Sequence, residues 1–417
     1  MASIFRLLVF FLLLVCSCQS ALASTLAPWR KVVIDAARDE ALAPNLTVRN
    51  LAILCVGAYE CLNRELNLYS SIISIEAEKP INYDSSSALR GCLLEICEFL
   101  HPSQRSRFLK LAHQVSVSSG TIADNPSYLY GQKIAKKILK DRTGDGATVT
   151  VNYIGSLQPG HWRRTPPHYR PPEQASWGSV RTFCINNPED FIPPPPPALD
   201  SQEYFESVKE VKIYGLKDSP LRTKEETMTA YFWKDFSYTS TPPGHWNEIA
   251  NFASKQKHLS LLEESRLFAL LNLSMADAGI VAWHAKYKYH LWRPENAIRE
   301  AYEIPITKKL AAANWKPLLE SPPHPEYPSG HACYSGAAAE VLRFFFETDS
   351  FNFSAKSDTL DQSIRHYDSF SSCAKEIAQS RLFGGIHFQF SNKNGLLTGN
   401  RIAHYICHTF CKIILEK

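Results

Sequence analysis

The chain has 417 residues, a formal net charge of +4 and 45% hydrophobic residues. That is the composition of a globular protein with room for one large domain or two, and it excludes a disordered chain. The near balance of acidic and basic residues also excludes the broad basic footprint of a nucleic-acid-binding protein.

Residues 1–23 read as a secretory signal peptide. Arg6 gives a positive start, "LLVFFLLLVC" an apolar centre and "ALAS" a small-residue cleavage site after Ala23. The apolar run is shorter than the roughly 20 residues a spanning helix needs, so an uncleaved anchor is the secondary reading. A mature chain secreted outside the cell or held in the secretory-pathway lumen, with no transmembrane segment, is therefore expected. Nine of the eleven cysteines follow the leader, an odd number that implies a free thiol or an intermolecular bond. No CxxC pair occurs, so no zinc site is expected. If the helices carrying Cys55, Cys61 and Cys92, Cys97 pack antiparallel, Cys55 would face Cys97 and Cys61 would face Cys92. Three glycosylation sequons occur. Asn45 and Asn352 lie in loop-like contexts that would accept a glycan, whereas Asn272 falls inside a long helical pattern.

Helical periodicity dominates the rest and predicts an all-α fold of helical bundles. Helices are expected near 28–41, 47–63, 86–99, 103–118 and 123–140, then near 202–214, 223–235, 243–256, 261–292, 329–347, 362–383 and 395–414. Ser260 with Glu263 forms a capping box at the start of the longest, and Pro294 should end it at Arg293. Residues 141–200 differ. "PGHWRRTPPHYRPPEQ" and "FIPPPPPALD" cannot form a long helix, because proline fixes φ and donates no hydrogen bond. An extended strap is expected, anchored by Trp162, Tyr169, Trp177, Phe183 and Phe191. The organisation is then a helical part over 24–140, the strap over 141–200 and a second helical part over 201–417.

Three short stretches carry chemistry. In "KYKYHLWRP", Lys286 and Arg293 stand seven apart, two turns along one expected helical face. In "YPSGHACYSG", Ser329 can cap a helix, Gly330 lets a ligand approach the backbone, and His331 changes charge near neutral pH. In "SRLFGGIHF", Arg381 offers a planar fork, and the Gly384-Gly385 pair can turn His387 toward it. Each stretch also has an ordinary structural reading: a solvated basic face, a Ser-capped helix above a buried histidine, a glycine bend. Taken together they supply cations, neutral donors and two imidazoles, a complete shell for a phosphate-like anion. Tyr287, Tyr289, His290 and Trp292 read chiefly as packing around the helix. His161, His168, His245 and His284 have no motif around them.

The motifs K-x6-RP, PSGH and SR-x5-H, in this order, resemble the three-part signature of the superfamily that joins vanadium-dependent haloperoxidases and type 2 phosphatidic acid phosphatases. The positions that match are Lys286, Arg293-Pro294, Pro328 to His331, Ser380-Arg381 and His387. "NLAILCVGAYE", "TPPGHWNEIA" and "LFALLNLSMADAGIVAW" resemble the soluble, secreted-type haloperoxidase branch. The resemblance implies an all-α fold with vanadate as cofactor and hydrogen peroxide and halide as substrates. It implies that His387 bonds the vanadium, and that Lys286, Arg293 and Arg381 neutralise its oxygens. Ser329 and the Gly330 amide would donate hydrogen bonds, and His331 would be the acid–base group. Lys286 would also polarise bound peroxide. His324, seven before His331, would lie near the halide, where a histidine points to bromide. The same shell would serve a phosphatase, with His387 as nucleophile and His331 protonating the leaving group. A non-catalytic phosphate- or vanadate-binding protein is the third reading.

Overall fold

The computed structural model describes residues 26–114 and 125–414. The expected leader and its cleavage site lie outside the described residues, as does the end of the helix expected over 103–118.

Five helices come first: α1 (Leu26–Asp39), α2 (Pro44–Leu66), α3 (Ser85–Leu100), α4 (Arg105–Gln114) and α5 (Pro126–Arg142). Asp84 and Asn125 cap α3 and α5 by accepting from the second and third amides of each helix. After the strap come α6 (Gln202–Tyr214), α7 (Lys224–Phe232), α8 (Thr241–Gln256), α9 (Leu261–Tyr289), α10 (Pro294–Arg299) and α11 (Gly330–Phe346). A hairpin of β1 (Ser350–Lys356) and β2 (Ile364–Ser369) follows, then α12 (Phe370–Phe383) and α13 (Gln389–Thr409). The all-α expectation holds, with this small antiparallel hairpin as its exception.

Helix α9 is the axis of the molecule. It packs on α2 on one side and on α11 and α13 on the other. It is long and apolar enough to cross a bilayer, yet 94% of its most apolar window is buried inside the fold. The Ser260–Glu263 capping box is present at its start. Its end differs from expectation. The helix stops at Tyr289, and His290 takes a left-handed conformation with φ 53°. Arg293 is not on the helix; it caps α10, with Pro294 in the first turn where a missing N–H costs nothing.

The helix expected over 362–383 is β2 followed by α12. Phe351, Phe353 and Ala355 are buried on alternate positions of β1, and Phe353 pairs with Tyr367 across the hairpin. Phe353 and Phe351 stack on Phe370 at the start of α12, so the hairpin covers an aromatic core.

The strap is ordered, and its anchors are polar as well as aromatic. Trp162 and Trp177 are buried, and Phe183 and Phe191 pack against the core, but Tyr169 is exposed and anchors nothing. Asp277 of α9 accepts from the amides of Phe183, Cys184 and Ile185 at 2.7, 2.8 and 3.1 Å. An ionised carboxylate taking three amides is a strong anchor for a chain that proline leaves poor in donors of its own. Nearer the site, the Glu173 amide donates to the Pro323 carbonyl at 2.7 Å.

All nine described cysteines are buried free thiols, so neither expected disulfide forms. Cys61 and Cys92 are neighbours, but Cys55 accepts from Asn272 instead of facing Cys97. Asn45 is buried against Gln174 and Tyr334, which removes it as a glycan acceptor; Asn352 is exposed on β1.

Candidate functional site

The site lies where α11 begins, where α12 ends and where α13 is about to begin. Helix α13 crosses α11 so closely that a Cβ on Gly399 would stand 2.0 Å from the Cys333 carbonyl, and one on Gly336 would stand 2.2 Å from that of Leu396. Small residues permit that approach, as they do wherever helix backbones touch. The crossing joins the two ends, and the Ser329 amide donates to Ser391 at 3.2 Å.

Ser329 is the N-cap residue of α11, but its hydroxyl caps nothing. The oxygen is buried and has no hydrogen-bond partner among the described residues. A buried hydroxyl left unpaired costs about 1–3 kcal/mol, so an arrangement that retains one is set up for a partner supplied from outside. The first amides of α11 face the same side, with the positive end of the helix behind them. Gly330 allows close packing here: a Cβ would meet the Trp283 ring at 3.2 Å.

Lys286, Arg293 and Arg381 are buried, and none forms a salt bridge among the described residues. Neutral oxygens hold them. Lys286 donates to the carbonyls of Pro325, Glu326 and Pro328 at 3.0, 2.9 and 2.5 Å. Arg293 donates to the carbonyls of His324 and Ile386, both at 2.9 Å. Arg381 donates to the Trp233 carbonyl at 2.6 Å. Burial depresses the pKa of all three, bringing both arginines down to about 10 and Lys286 well below its usual range. Three desolvated cations held by neutral partners, with Glu326 and Asp235 acting on them from beyond ion-pair distance, leave an excess of positive charge. Lys286 thus acts as a brace for the loop ahead of Ser329, with its three protons already engaged, and adds charge rather than an open donor.

Burial, followed by the neighbouring cations, keeps His387, His331 and His324 neutral, each well below the ordinary imidazole range. The hydrogen bonds then assign the tautomers, since arginine can only donate. Arg293 donates to His387 Nε2 at 3.2 Å, so that atom carries a lone pair and Nδ1–H donates to Glu326 Oε1 at 2.8 Å. Arg381 donates to His331 Nε2 at 3.2 Å, making it a base as well. His324 Nδ1 lies 3.0 Å from the Arg293 guanidinium and 3.2 Å from the Pro325 carbonyl. His324 packs on Trp283, with ring centroids 4.8 Å apart.

Two carboxylates here were not singled out from the sequence. Glu326 is fully buried and accepts from His387, the Phe388 amide at 2.9 Å and the Ser391 hydroxyl at 3.0 Å. Burial raises its pKa to about 7, against the lowering effect of Lys286 and Arg293. Its signal was an acid two residues before PSGH in "HPEYPSGH", where an acid among prolines has no helical reason to be. Asp235, in the loop after α7, sits on the cleft wall with Oδ1 buried and unpaired among the described residues, while Oδ2 accepts from His245 at 2.8 Å. No motif marks it.

The cleft in front of these groups has a volume of about 390 Å³, and His324, Gly330, His331, Arg381 and His387 line its inner end. Lys286, Arg293 and Ser329 are fully buried just behind that wall. Every residue singled out for the anion shell therefore converges on one place, although Lys286 and Arg293 arrive from different elements. His290 does not join them; it bonds and stacks on Tyr153 of the strap. His245 is structural, and His284 pairs with Glu189 outside the cleft. His168 stands at the mouth.

Residues 266–415 match the family model described as the VCPO second helical-bundle domain. The curated vanadium chloroperoxidase of Curvularia inaequalis is 26% identical over 276 residues, which is 51% of this chain and 45% of that protein. A bacterial vanadium-dependent iodoperoxidase structure superposes with a TM-score of 0.84 at 26% identity, covering 95% of this chain and 98% of its own. The chain carries the fold of the vanadium haloperoxidases, and residues 266–415 match their second helical-bundle domain. The match spans less than half the length of the curated chloroperoxidase, whereas the iodoperoxidase matches almost end to end. A holo bacterial vanadium-dependent chloroperoxidase, 16% identical, shares the fold with a TM-score of 0.70 over 88% of this chain and 92% of its own. This likeness agrees with a site built for an oxyanion. Among the described residues no group of three or more His, Cys, Asp or Glu side chains is arranged to hold a metal cation.

Proposed function

We propose that the protein is a vanadate-dependent haloperoxidase that oxidises halide with hydrogen peroxide to hypohalous acid. The observation that carries this reading is a buried excess of positive charge around one unpaired hydroxyl and one imidazole lone pair. A divalent cation would be repelled there, and a tetrahedral oxyanion would be held. His387 Nε2 would bond the vanadium. Arg293 and Arg381 would neutralise its oxygens, Lys286 would add charge from behind, and Ser329 and the Gly330 amide would donate hydrogen bonds. Bound vanadate supplies a Lewis-acidic centre at which peroxide becomes electrophilic toward halide. His331 Nε2 takes a proton from the entering peroxide and returns it to departing water. Overall, halide, peroxide and a proton give hypohalous acid and water. His324 lines the cleft where a halide would approach, and we assign bromide as the preferred ion, with iodide to be compared in the same assay. The leader-like first 23 residues support secretion or residence in the secretory lumen.

The assignment of His387 is tested by vanadium content after gel filtration. The His387→Ala variant should retain no vanadium. His331→Ala should retain most of it while losing turnover by about 10²–10⁴-fold, the usual contribution of a general acid–base group. Equal vanadium in wild type and His387→Ala would remove the ligand assignment.

A braced imidazole with a free lone pair is also what a phosphohistidine mechanism needs, which keeps the phosphatase as the second reading. A phosphate- or vanadate-binding protein without turnover is the third.

A further inference from the structure

Helix α13 carries two histidines four residues apart, His404 and His408, on its exposed face. Residues at this spacing lie one above the other on a helix, and the two ring centroids are 4.1 Å apart. The pair stands against α11. Glu340 of that helix places Oε1 3.3 Å from His404 Nδ1. Phe344, one turn further along α11, meets the His408 ring edge-on with centroids 5.0 Å apart.

The hydrogen bonds decide which nitrogen of each ring is left open. A carboxylate and a carbonyl only accept, so His404 Nδ1–H donates to Glu340 and His408 Nδ1–H donates to the His404 carbonyl at 2.7 Å. In the neutral rings both lone pairs are then on Nε2, and neither Nε2 has a hydrogen-bond partner among the described residues. Glu340 is itself fixed: it is buried and accepts from Arg343 Nε at 2.9 Å and from Asn400 at 2.8 Å. A histidine that gives Nδ1–H to a carboxylate or a backbone carbonyl is oriented as metal-binding histidines are, with tautomer and ring direction set before the ion arrives.

We propose that His404 and His408 bind one divalent transition cation, such as Zn²⁺, through their Nε2 atoms, with Glu340 orienting His404 and water in the remaining positions. Zn–N bonds of about 2.0–2.1 Å put two tetrahedral ligand nitrogens roughly 3.3 Å apart, a spacing that rings this close reach by a small rotation. No third His, Cys, Asp or Glu is arranged with them among the described residues, so the site has two protein ligands and is open to solvent. Charge does not draw the ion in. Arg343 balances Glu340, Arg401 lies over Phe191 and donates to the Asp190 carbonyl, and Lys412 and Glu347 are exposed past the ends of α13 and α11. Ligand type selects the ion instead: imidazole suits Zn²⁺, Cu²⁺ and Ni²⁺, whereas Ca²⁺ and Mg²⁺ take oxygen. The bound ion would clip the last turns of α13 to each other beside its crossing with α11. Glu340 is ten residues along α11 from Gly330, about 15 Å, so the oxyanion site is not touched.

The test is calorimetric titration of the full chain with Zn²⁺, without vanadate or chelator. Wild type should bind one equivalent saturably, and Ca²⁺ should not bind. His404→Ala and His408→Ala should each weaken Zn²⁺ binding more than about tenfold, since even a partner that only orients a ligand is worth about that much. Both side chains are exposed, so the variants should match wild type in Tm with EDTA present, while Zn²⁺ should raise the Tm of wild type alone. Glu340→Gln, compared with wild type by Kd and by Tm in EDTA, should weaken binding about tenfold. His366→Ala, at an exposed histidine of β2, should bind as wild type does. Absence of saturable Zn²⁺ binding, or unchanged binding in both His404→Ala and His408→Ala, would overturn the site. Equal binding of Ca²⁺ would overturn the imidazole ligands, and an unaltered Kd in Glu340→Gln would overturn the orienting role.

Discussion

Ser329 separates the two meanings of a serine at a helix start. A capping serine replaced by alanine costs about 1 kcal/mol. Here the hydroxyl makes no cap bond and is buried without a partner among the described residues. Ser329→Ala should therefore leave thermal stability unchanged or raise it, while weakening vanadate binding several-fold in a calorimetric titration. A fall in Tm equivalent to 1 kcal/mol with unaltered binding would return Ser329 to an ordinary cap. At this scale the sequence was most readable for groups defined by a motif, and His387, His331, Arg381, Arg293 and Ser329 do converge. It was least readable for groups that act through another residue. Glu326 fixes the His387 tautomer from across 61 positions of chain, and nothing local marks such a contact. Lys286 shows a related limit: residue type gave the charge, but only the loop geometry shows that all three protons are already engaged.

Elements bring these residues together, and the α11–α13 crossing matters most. Gly395, Gly399 and Gly336 let the two backbones touch, and a Cβ on Gly395 would lie 2.8 Å from the Ser329 carbonyl. Gly399→Ala gives favourable helix propensity but meets backbone atoms of α11 that cannot yield as a flexible side chain would. It should destabilise by about 1–3 kcal/mol in denaturant unfolding and also reduce vanadate affinity, because the start of α11 moves with its body. An unchanged unfolding midpoint would show that the crossing has slack. Helix existence was legible from 3.6-residue periodicity. The misreadings were at boundaries: His290 turns left-handed before Pro294 acts, and β2 hides ahead of α12. A strand of six residues gives periodicity too little length to declare itself, although in its partner β1 the residues Phe351, Phe353 and Ala355 alternate as a strand should.

At the scale of the whole molecule, buried charge links stability to pH. Burial alone would lower the pKa of His245, but the Asp235 carboxylate, 2.8 Å away, outweighs it and raises the group to about 9. The ordinary unfolded value is about 6.5. A raised cationic group contributes fully below the unfolded pKa and loses its contribution as pH rises through the folded one. This pair therefore contributes on the order of 3 kcal/mol below about pH 6.5, declining toward pH 9. Wild type should lose Tm across that window, and His245→Gln should be flatter; parallel curves would contradict the assignment. The opposite balance, buried cations with no carboxylate in ion-pair contact among the described residues, underlies the central claim about the cleft. That claim is tested most directly by dialysing the protein free of phosphate, with and without orthovanadate, and assaying bromide and iodide oxidation by hydrogen peroxide beside phosphomonoester hydrolysis. The account predicts halide oxidation that appears only with vanadate, and little hydrolysis. Hydrolysis inhibited by vanadate, with no halide oxidised, would contradict it and assign the His387 lone pair to phosphorus.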